Sequence, residues 1–330
     1  MSGGLPGKRD VMSELFVNDP SDPPLFMRSQ LLESGLRDPD IGRLVREGTL
    51  ARIRRGAYTL KETWDVSDDL AKHILLCRAV LLACRAEAVL SHVSAVAVLA
   101  VPMWDLDLSH VHVTRSDRRG GRTTAGVRQH RGALSEDADV IRVGDLPVTS
   151  YARTALDLCR IADVERSLVV VDSMLNRGLT SEPELHEMWE RTLRWSGGLT
   201  AHLTLRLADG RRESVGETRT FLALWRARLP LPEPQYEVLD ASGVVLARLD
   251  FAWEKYGVYL EFDGRAKYTA YLRDGETIED AVLREKRRED AVREATGWTC
   301  IRVTWADLYN PTALINRVAR ALVAGGWQAA

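Results

Sequence analysis

The chain has 330 residues, of which 45% are hydrophobic, enough for two or three domains with proper cores. Its 45 Lys and Arg against 47 Asp and Glu give a net charge of -2, which excludes coating of nucleic acid through overall charge; basic character must be local. The polar start MSGGLPGKRD has no apolar core of a signal peptide, and HILLCRAVLLACRA is too short and arginine-interrupted for a membrane span, so a cytoplasmic protein is expected.

In chain order, Leu25 to Leu60 reads as a helix, a turn at Gly35, a second helix from about Pro39 to Glu47 and a short basic hairpin. That is the order of a winged helix-turn-helix. Ile41, Leu44 and Val45 give the second helix an apolar side and leave Arg43 and Arg46 on the polar one. The hairpin adds Arg52, Arg54 and Arg55 ahead of Gly56 and Tyr58. Arginines on a recognition helix and its wing neutralise phosphates or reach base edges, so DNA is the expected partner. A protein-interaction domain is the alternative, because winged helices also bind proteins. The segment resembles the N-terminal domain of AbiEi-type antitoxin and transcriptional-regulator proteins, and the resemblance extends into the middle of the chain. It implies regulation or neutralisation of a partner toxin.

From about Val66 to Arg194 an apolar helix in HILLCRAVLLACRA is followed by the apolar run VLSHVSAVAVLAVP and a strand HVHVTR. In the next stretch Arg115, Arg118, Arg119, Arg122, Arg128 and Arg131 are opposed only by Asp117. It reads as a solvated hairpin tip or as a loop that tracks a phosphate backbone. His110 and His112 alternate onto one strand face, but no third ligand is evident nearby, and both read as structural. Two amphipathic helices follow, the first near Ser150, Tyr151 and Arg153. Cys77, Cys84, Cys159 and Cys300 sit in apolar segments without Cys-x-x-Cys spacing, which favours free buried thiols over a zinc or disulfide framework.

The C-terminal third carries the densest chemistry. A helix is predicted from Ser214 to Arg228 and strands at about Gln235 to Leu239, Val244 to Phe251 and Val258 to Asp263. A charged helix from Ile278 to Thr296 stops at Gly297; a strand Thr299 to Trp305 and a last helix opened by Asn310 and Pro311 follow. Alternation puts Val258, Leu260 and Phe262 on a core face with Val245, Ala247, Leu249 and Phe251, and Tyr259, Glu261 and Asp263 on the other, with Arg248 and Asp250. Asp250 thus ends its strand beside Glu261. Carboxylates held that close repel unless a cation or basic side chains compensate, and oxygen clusters of this kind suit Mg²⁺ or Mn²⁺. A solvated polar sheet face is the plainer reading.

This α-β-β-β-α-β-α order, with LDFAW, LEFDGRAKY, EKRRED and RVTWADL, resembles the PD-(D/E)XK endonuclease-like superfamily, and within it the DUF559 and very-short-patch-repair-like branch, over residues 211 to 325. The resemblance makes Asp250 and Glu261 metal ligands and Glu217 the helix-borne acid, although Ser214-x-x-Glu217 is equally a capping box. Asp263 stands where the superfamily usually has the lysine that polarises water; Lys267 or Lys286 is the expected substitute. The implied chemistry is metal-assisted phosphodiester hydrolysis.

The expected architecture is therefore an α+β multidomain protein: a winged helix-turn-helix over 1–65, an AbiEi-like α/β middle domain over 66–210 and an endonuclease-like domain over 211–330. Two functions fit it best, a DNA-binding protein with a metal-dependent nuclease-like domain, or a regulator or antitoxin whose nuclease fold has lost hydrolysis. A protein-interaction module that neutralises a toxin is the third.

Overall fold

A computed structural model of the protein describes residues 23–84, 87–115, 121–240, 242–264 and 277–328. The N-terminal MSGGLPGKRD, Arg118, Arg119 and Lys267 lie outside them. The architecture is α+β with three separate sheets among the described residues. The chain forms two compact units, Met1–Val101 with Asp105–Ile161, and Pro102–Trp104 with Ala162–Ala330. The boundaries expected at 65 and 210 thus fall inside units. The reason is packing: Leu168, assigned to the middle of the chain, belongs to the same core cluster as Phe221, Leu222 and Phe262.

The first unit opens with β1 (Phe26–Met27), α1 (Arg28–Glu33), α2 (Asp38–Arg46), β2 (Leu50–Arg54) and β3 (Ala57–Leu60). Its antiparallel sheet has the order β1-β3-β2, over a core of Phe26, Leu31, Ile41, Leu44, Leu50 and Leu60. Asp38 and Asp40 in the first turn of α2 face the positive end of the helix, with Pro39 pre-set for its start. Next come α3 (Lys61–Val66) and α4 (Asp69–Ala83), the latter capped by Asp68, whose carboxylate accepts from Ala71 N at 2.8 Å. The apolar run after α4 is a strand, β4 (Ala88–Leu90), and a short helix, α5 (His92–Val98). A six-stranded sheet of order β6-β7-β5-β4-β9-β8 is completed by β5 (Val111–Arg115), β6 (Arg122–Thr124), β7 (Val127–Arg131), β8 (Val140–Val143) and β9 (Leu146–Thr149). The basic stretch thus contains the β6–β7 hairpin. α6 (Glu136–Asp139) precedes β8 and α7 (Tyr151–Cys159) follows β9.

The second unit begins with α8 (Val164–Asn176), α9 (Glu182–Arg191), α10 (Gly198–Leu207) and α11 (Val215–Arg226). A sheet of order β10-β11-β12-β13 comes from β10 (Glu233–Leu239), β11 (Val245–Trp253), β12 (Val258–Asp263) and β13 (Thr299–Thr304). The first two pairings are antiparallel and β12 runs parallel to β13, with α12 (Ile278–Thr296) as the crossover. α13 (Trp305–Tyr309) and α14 (Pro311–Ala324) end the unit. Arg212 and Asp172 form a fully buried ion pair at 2.6 Å. Trp104 stacks on Trp305 with centroids 5.4 Å apart and lies 3.9 Å from the Arg219 guanidinium, which also bonds Glu165 at 2.7 Å.

One expectation about the sheet needs correction. Tyr259 and Asp250, placed by alternation on an exposed polar face, are buried at 2% and 9% exposure. Tyr259 packs with Val238, Ala247, Leu249, Ala252 and Val292 in a second core cluster, so the charged helix α12 covers this sheet through its few apolar residues. Leu249 through Trp253 are all buried; where both faces are covered the polar–apolar pattern no longer marks the core face, and Ala247 and Leu249, expected beside Val258, Leu260 and Phe262, pack with Tyr259 instead.

Candidate functional site

β11 and β12 pair from Phe251↔Leu260 to Trp253↔Val258. At Asp250 the ladder stops being purely backbone: its Oδ2 accepts the Phe262 amide at 2.7 Å. A carboxylate is thereby anchored inside the sheet at the point expected from the sequence, and charge-assisted bonds of this type are the stronger ones.

Glu217 is carried to the same place by α11. Ser214 Oγ donates to Glu217 Oε1 at 2.7 Å and accepts from Glu217 N at 3.1 Å, while Glu213 N and Gln235 Nε2 donate to Oε2 at 3.0 and 2.9 Å. The N-terminal capping role is therefore present, yet it does not exhaust this carboxylate, which is 3% exposed. Burial, and after it the nearby charge of Asp250, raises its pKa above the ordinary glutamate value. Gly216 permits the approach: a Cβ there would lie 2.1 Å from Phe262 Cε1, so the helix packs directly on that ring. Gln235, which the sequence reading missed, sits between the register pairs Pro234↔Phe251 and Tyr236↔Leu249, opposite Asp250. Its φ of +53° is a left-handed conformation costly for a residue with a Cβ, the kind of strain found at functional sites.

Glu261 is held differently. Arg288 Nη2 bonds its Oε1 at 3.1 Å while Nη1 donates to the Arg248 carbonyl at 3.1 Å, tying β12, β11 and α12 together. Beside it lies a narrow cleft lined by Tyr259, Glu289, Cys300 and Arg302. Arg288 is thus a basic residue that α12 brings to Glu261; Lys286 is exposed to solvent two positions earlier, on another helix face. Asp263 is half-buried at the end of β12, level with Thr304 of β13. Among the described residues, Glu217, Asp250 and Glu261 do not gather three ligand oxygens within 4.8 Å of one another. The acids are neighbours, short of a closed chelate.

On the first unit, Arg43 and Arg46 are exposed on α2, and Arg52 and Arg55 are exposed on β2 and its turn. Arg43 is near Asp40 at 3.6 Å and Glu47 at 4.0 Å, so its charge is partly balanced. Arg54 is half-buried, and its Nη1 is buried with no hydrogen-bond partner among the described residues. Gly56, at φ +78°, makes the tight turn that holds these arginines on one hairpin.

Two details of the middle region differ from expectation. His112 does meet further imidazoles: His92, His112 and His130 present ligand nitrogens within 4.8 Å of one another, whereas His110 bonds Ser109 at 2.8 Å. Only the pairing of β5 with β7 brings His130 near, so spacing along the chain could not reveal it. Of the four thiols, Cys77 and Cys159 are buried but Cys84 is exposed, because α4 ends at it.

No protein-family model matches the chain. Two relatives are the uncharacterized proteins MT2308 and Rv2248 from two strains of Mycobacterium tuberculosis, each 28% identical over 202 residues that make up 61% of this chain and 70% of the relative. Among solved structures, the RV2827C protein of Mycobacterium tuberculosis is similar at a TM-score of 0.40 and 17% identity, covering 70% of this chain and 87% of that one. No helix among the described residues is long and apolar enough to cross a membrane.

Proposed function

We propose that the chain is a cytoplasmic DNA-binding protein in which a winged helix-turn-helix delivers a metal-dependent, PD-(D/E)XK-like nuclease domain to its substrate. The observation that carries the reading is the meeting of Glu217 and Asp250, two buried carboxylates on α11 and β11, at the place where β11 and β12 part. Burial, and after it the charge of Asp250, raises the pKa of Glu217, so keeping both acids ionised there is costly without a cation. The mixed sheet, antiparallel through β12 and parallel at β13, supports the same superfamily.

The donor set fits a hard divalent ion, because it offers carboxylate oxygens only. Asp250 and Glu217 would hold Mg²⁺ or Mn²⁺, and Glu261 would join them on release from Arg288. The ion when bound supplies water activation and offsets charge on the phosphate. For the chain's own groups, the Phe262 amide orients Asp250, and Gln235 and Ser214 orient Glu217. Arg288 then faces the scissile phosphate as a cation that cannot lose its proton, in the region where Lys267 and Lys286 were expected to act. Arg43, Arg46, Arg52, Arg54 and Arg55 contact DNA at the wing and its helix.

The alternative is a regulator or AbiEi-type antitoxin with a non-catalytic nuclease fold, with DNA or a partner toxin as its ligand. The Glu261–Arg288 ion pair favours it, since an internal cation there substitutes for a metal. Cleavage of supercoiled plasmid and of short single- and double-stranded DNA with Mg²⁺ or Mn²⁺, beside Asp250→Asn and Glu261→Gln, decides between them. Cutting by the wild type alone supports the nuclease; an inert wild type that still shifts DNA on a gel supports the regulator.

A further inference from the structure

The interior of the first unit holds an imidazole cluster that the nuclease reading does not use. We propose that His92, His112 and His130 form a binding site for a late first-row divalent cation of the Zn²⁺ class. His92 is the first residue of α5, His112 lies on β5 and His130 on β7. β5 and β7 run parallel with Thr114 opposite His130, so His112 and His130 lie two residues out of level on the same sheet face. His92 is 6% and His112 2% exposed, and His130 is half-buried. His130 Nε2 and His112 Nδ1 are 3.0 Å apart, and the His92 and His130 rings stack with centroids 3.6 Å apart.

Three features point beyond packing. First, the three rings come from separate elements yet each presents a ring nitrogen within 4.8 Å of the other two, a span that one ion can close. Second, His92 Nδ1 faces Ser91 Oγ at 2.9 Å, and that oxygen accepts from Thr114 Oγ1 at 2.9 Å. This is the outer partner that fixes a ligating imidazole and turns its other nitrogen inward. Third, His92 adopts φ +53°, a strained conformation for a non-glycine residue. The contrast is His73, also buried, whose two ring nitrogens are taken by Leu108 O at 2.8 Å and Ser94 Oγ at 2.9 Å.

Zinc–nitrogen bonds of about 2.0–2.1 Å in a tetrahedral site separate ligand nitrogens by roughly 3.3 Å. Loading therefore opens the His112–His130 hydrogen bond slightly and splays His92 from its stack, leaving a fourth position for water or a ligand. Arg153 and Arg160 are the cations that face His92, and Arg128 faces the other two. Against them stand two buried carboxylates, Asp139 and Asp157, paired with Arg153 at 3.3 and 2.9 Å.

The test uses the full-length protein, stripped with a chelator and titrated with Zn²⁺ by calorimetry and with Co²⁺ by visible absorption, beside His130→Gln, His112→Asn and, as control, His186→Gln, an exposed histidine of the second unit. We expect one Co²⁺ per wild-type chain with the spectrum of tetrahedral imidazole coordination, distinct from any ion held by carboxylate oxygens alone. Affinity for that ion should fall at least about tenfold in His130→Gln and in His112→Asn and stay unchanged in His186→Gln. Circular dichroism checks that the variants fold, and the wild-type Co²⁺ spectrum stands without them. A folded wild type that shows no such stoichiometric Co²⁺ spectrum overturns the proposal. So does a spectrum that survives both His130→Gln and His112→Asn.

Discussion

Replacing Asp172 by asparagine should cost the second unit about 3–5 kcal/mol, the loss seen when one partner of a buried ion pair is removed. Asp172 and Arg212 are each 1% exposed and meet in a two-pronged contact of 2.6 and 3.0 Å. The same carboxylate accepts from Asp209 N at 2.9 Å and from Thr218 Oγ1 at 2.8 Å, which ties α8 to the start of α11. An amide keeps one acceptor and turns an NH₂ group toward donors, while Arg212 stays buried 4.1 Å from the Phe221 ring. Burial raises the Asp172 pKa, with the Arg212 bonds and charge acting in the opposite direction. For a unit of this size the loss lowers Tm by roughly 6–20 °C. Tryptophan fluorescence during urea and thermal unfolding reports it, because eight of the nine tryptophans belong to the second unit. A loss under about 1 kcal/mol would refute the reasoning. The double change Asp172→Leu with Arg212→Met should recover most of the stability, since it strands no charge.

Glu217→Gln should flatten the pH dependence of stability in metal-free buffer. The folded-state pKa of Glu217 is raised, so its contribution is full below the unfolded glutamate value and lost as pH rises through the higher folded one. In urea unfolding at stepped pH, the wild type should fall across that window by up to about 1.4 kcal/mol per unit more than the variant, and parallel curves would remove the claim. Arg52→Ala, Arg54→Ala and Arg55→Ala together should weaken DNA binding and reduce the log-log salt slope by about 2.7, three phosphates' worth; an unchanged slope means the wing is not the contact. Gly216→Ala, with its Cβ 2.1 Å from Phe262, should destabilise by about 1–3 kcal/mol in urea unfolding, unless the helix can lift from the sheet without loss.

Elements with strong local signals were legible in the sequence. Ile278–Thr296 ends at Gly297, Val258–Asp263 is a strand, and Pro311 opens the last helix. Asp250 was expected at the end of its strand on a non-core face; the strand instead runs on to Trp253 and Asp250 is buried, because whether α12 covers that sheet depends on a few apolar side chains in a charged helix. Arg288 was passed over for Lys286, since two residues along a helix decide which side chain faces Glu261 and a charge run looks alike at every position. Gln235 and the His92–His112–His130 cluster were invisible for a different reason. Each exists through strand register, which brings together residues far apart in the chain. The division near Ile161 has no local signal in the sequence, since Leu168 joins a core whose other members lie dozens of residues later.

The short stretch Pro102–Trp104 bears on how the protein can be divided. The chain contributes to the second unit, returns to the first, and contributes again, so no single cut yields the second unit whole. A fragment starting at Ala162 would keep every acid of the candidate site but lack Trp104, leaving the Arg219 guanidinium and the face of Trp305 without the indole that covers them. Domain dissection, the usual route to assigning an activity, would thus impair one half while seeming to isolate it. Point substitutions in the intact chain, or a fragment that begins before Pro102, are the sounder route to assigning the activities.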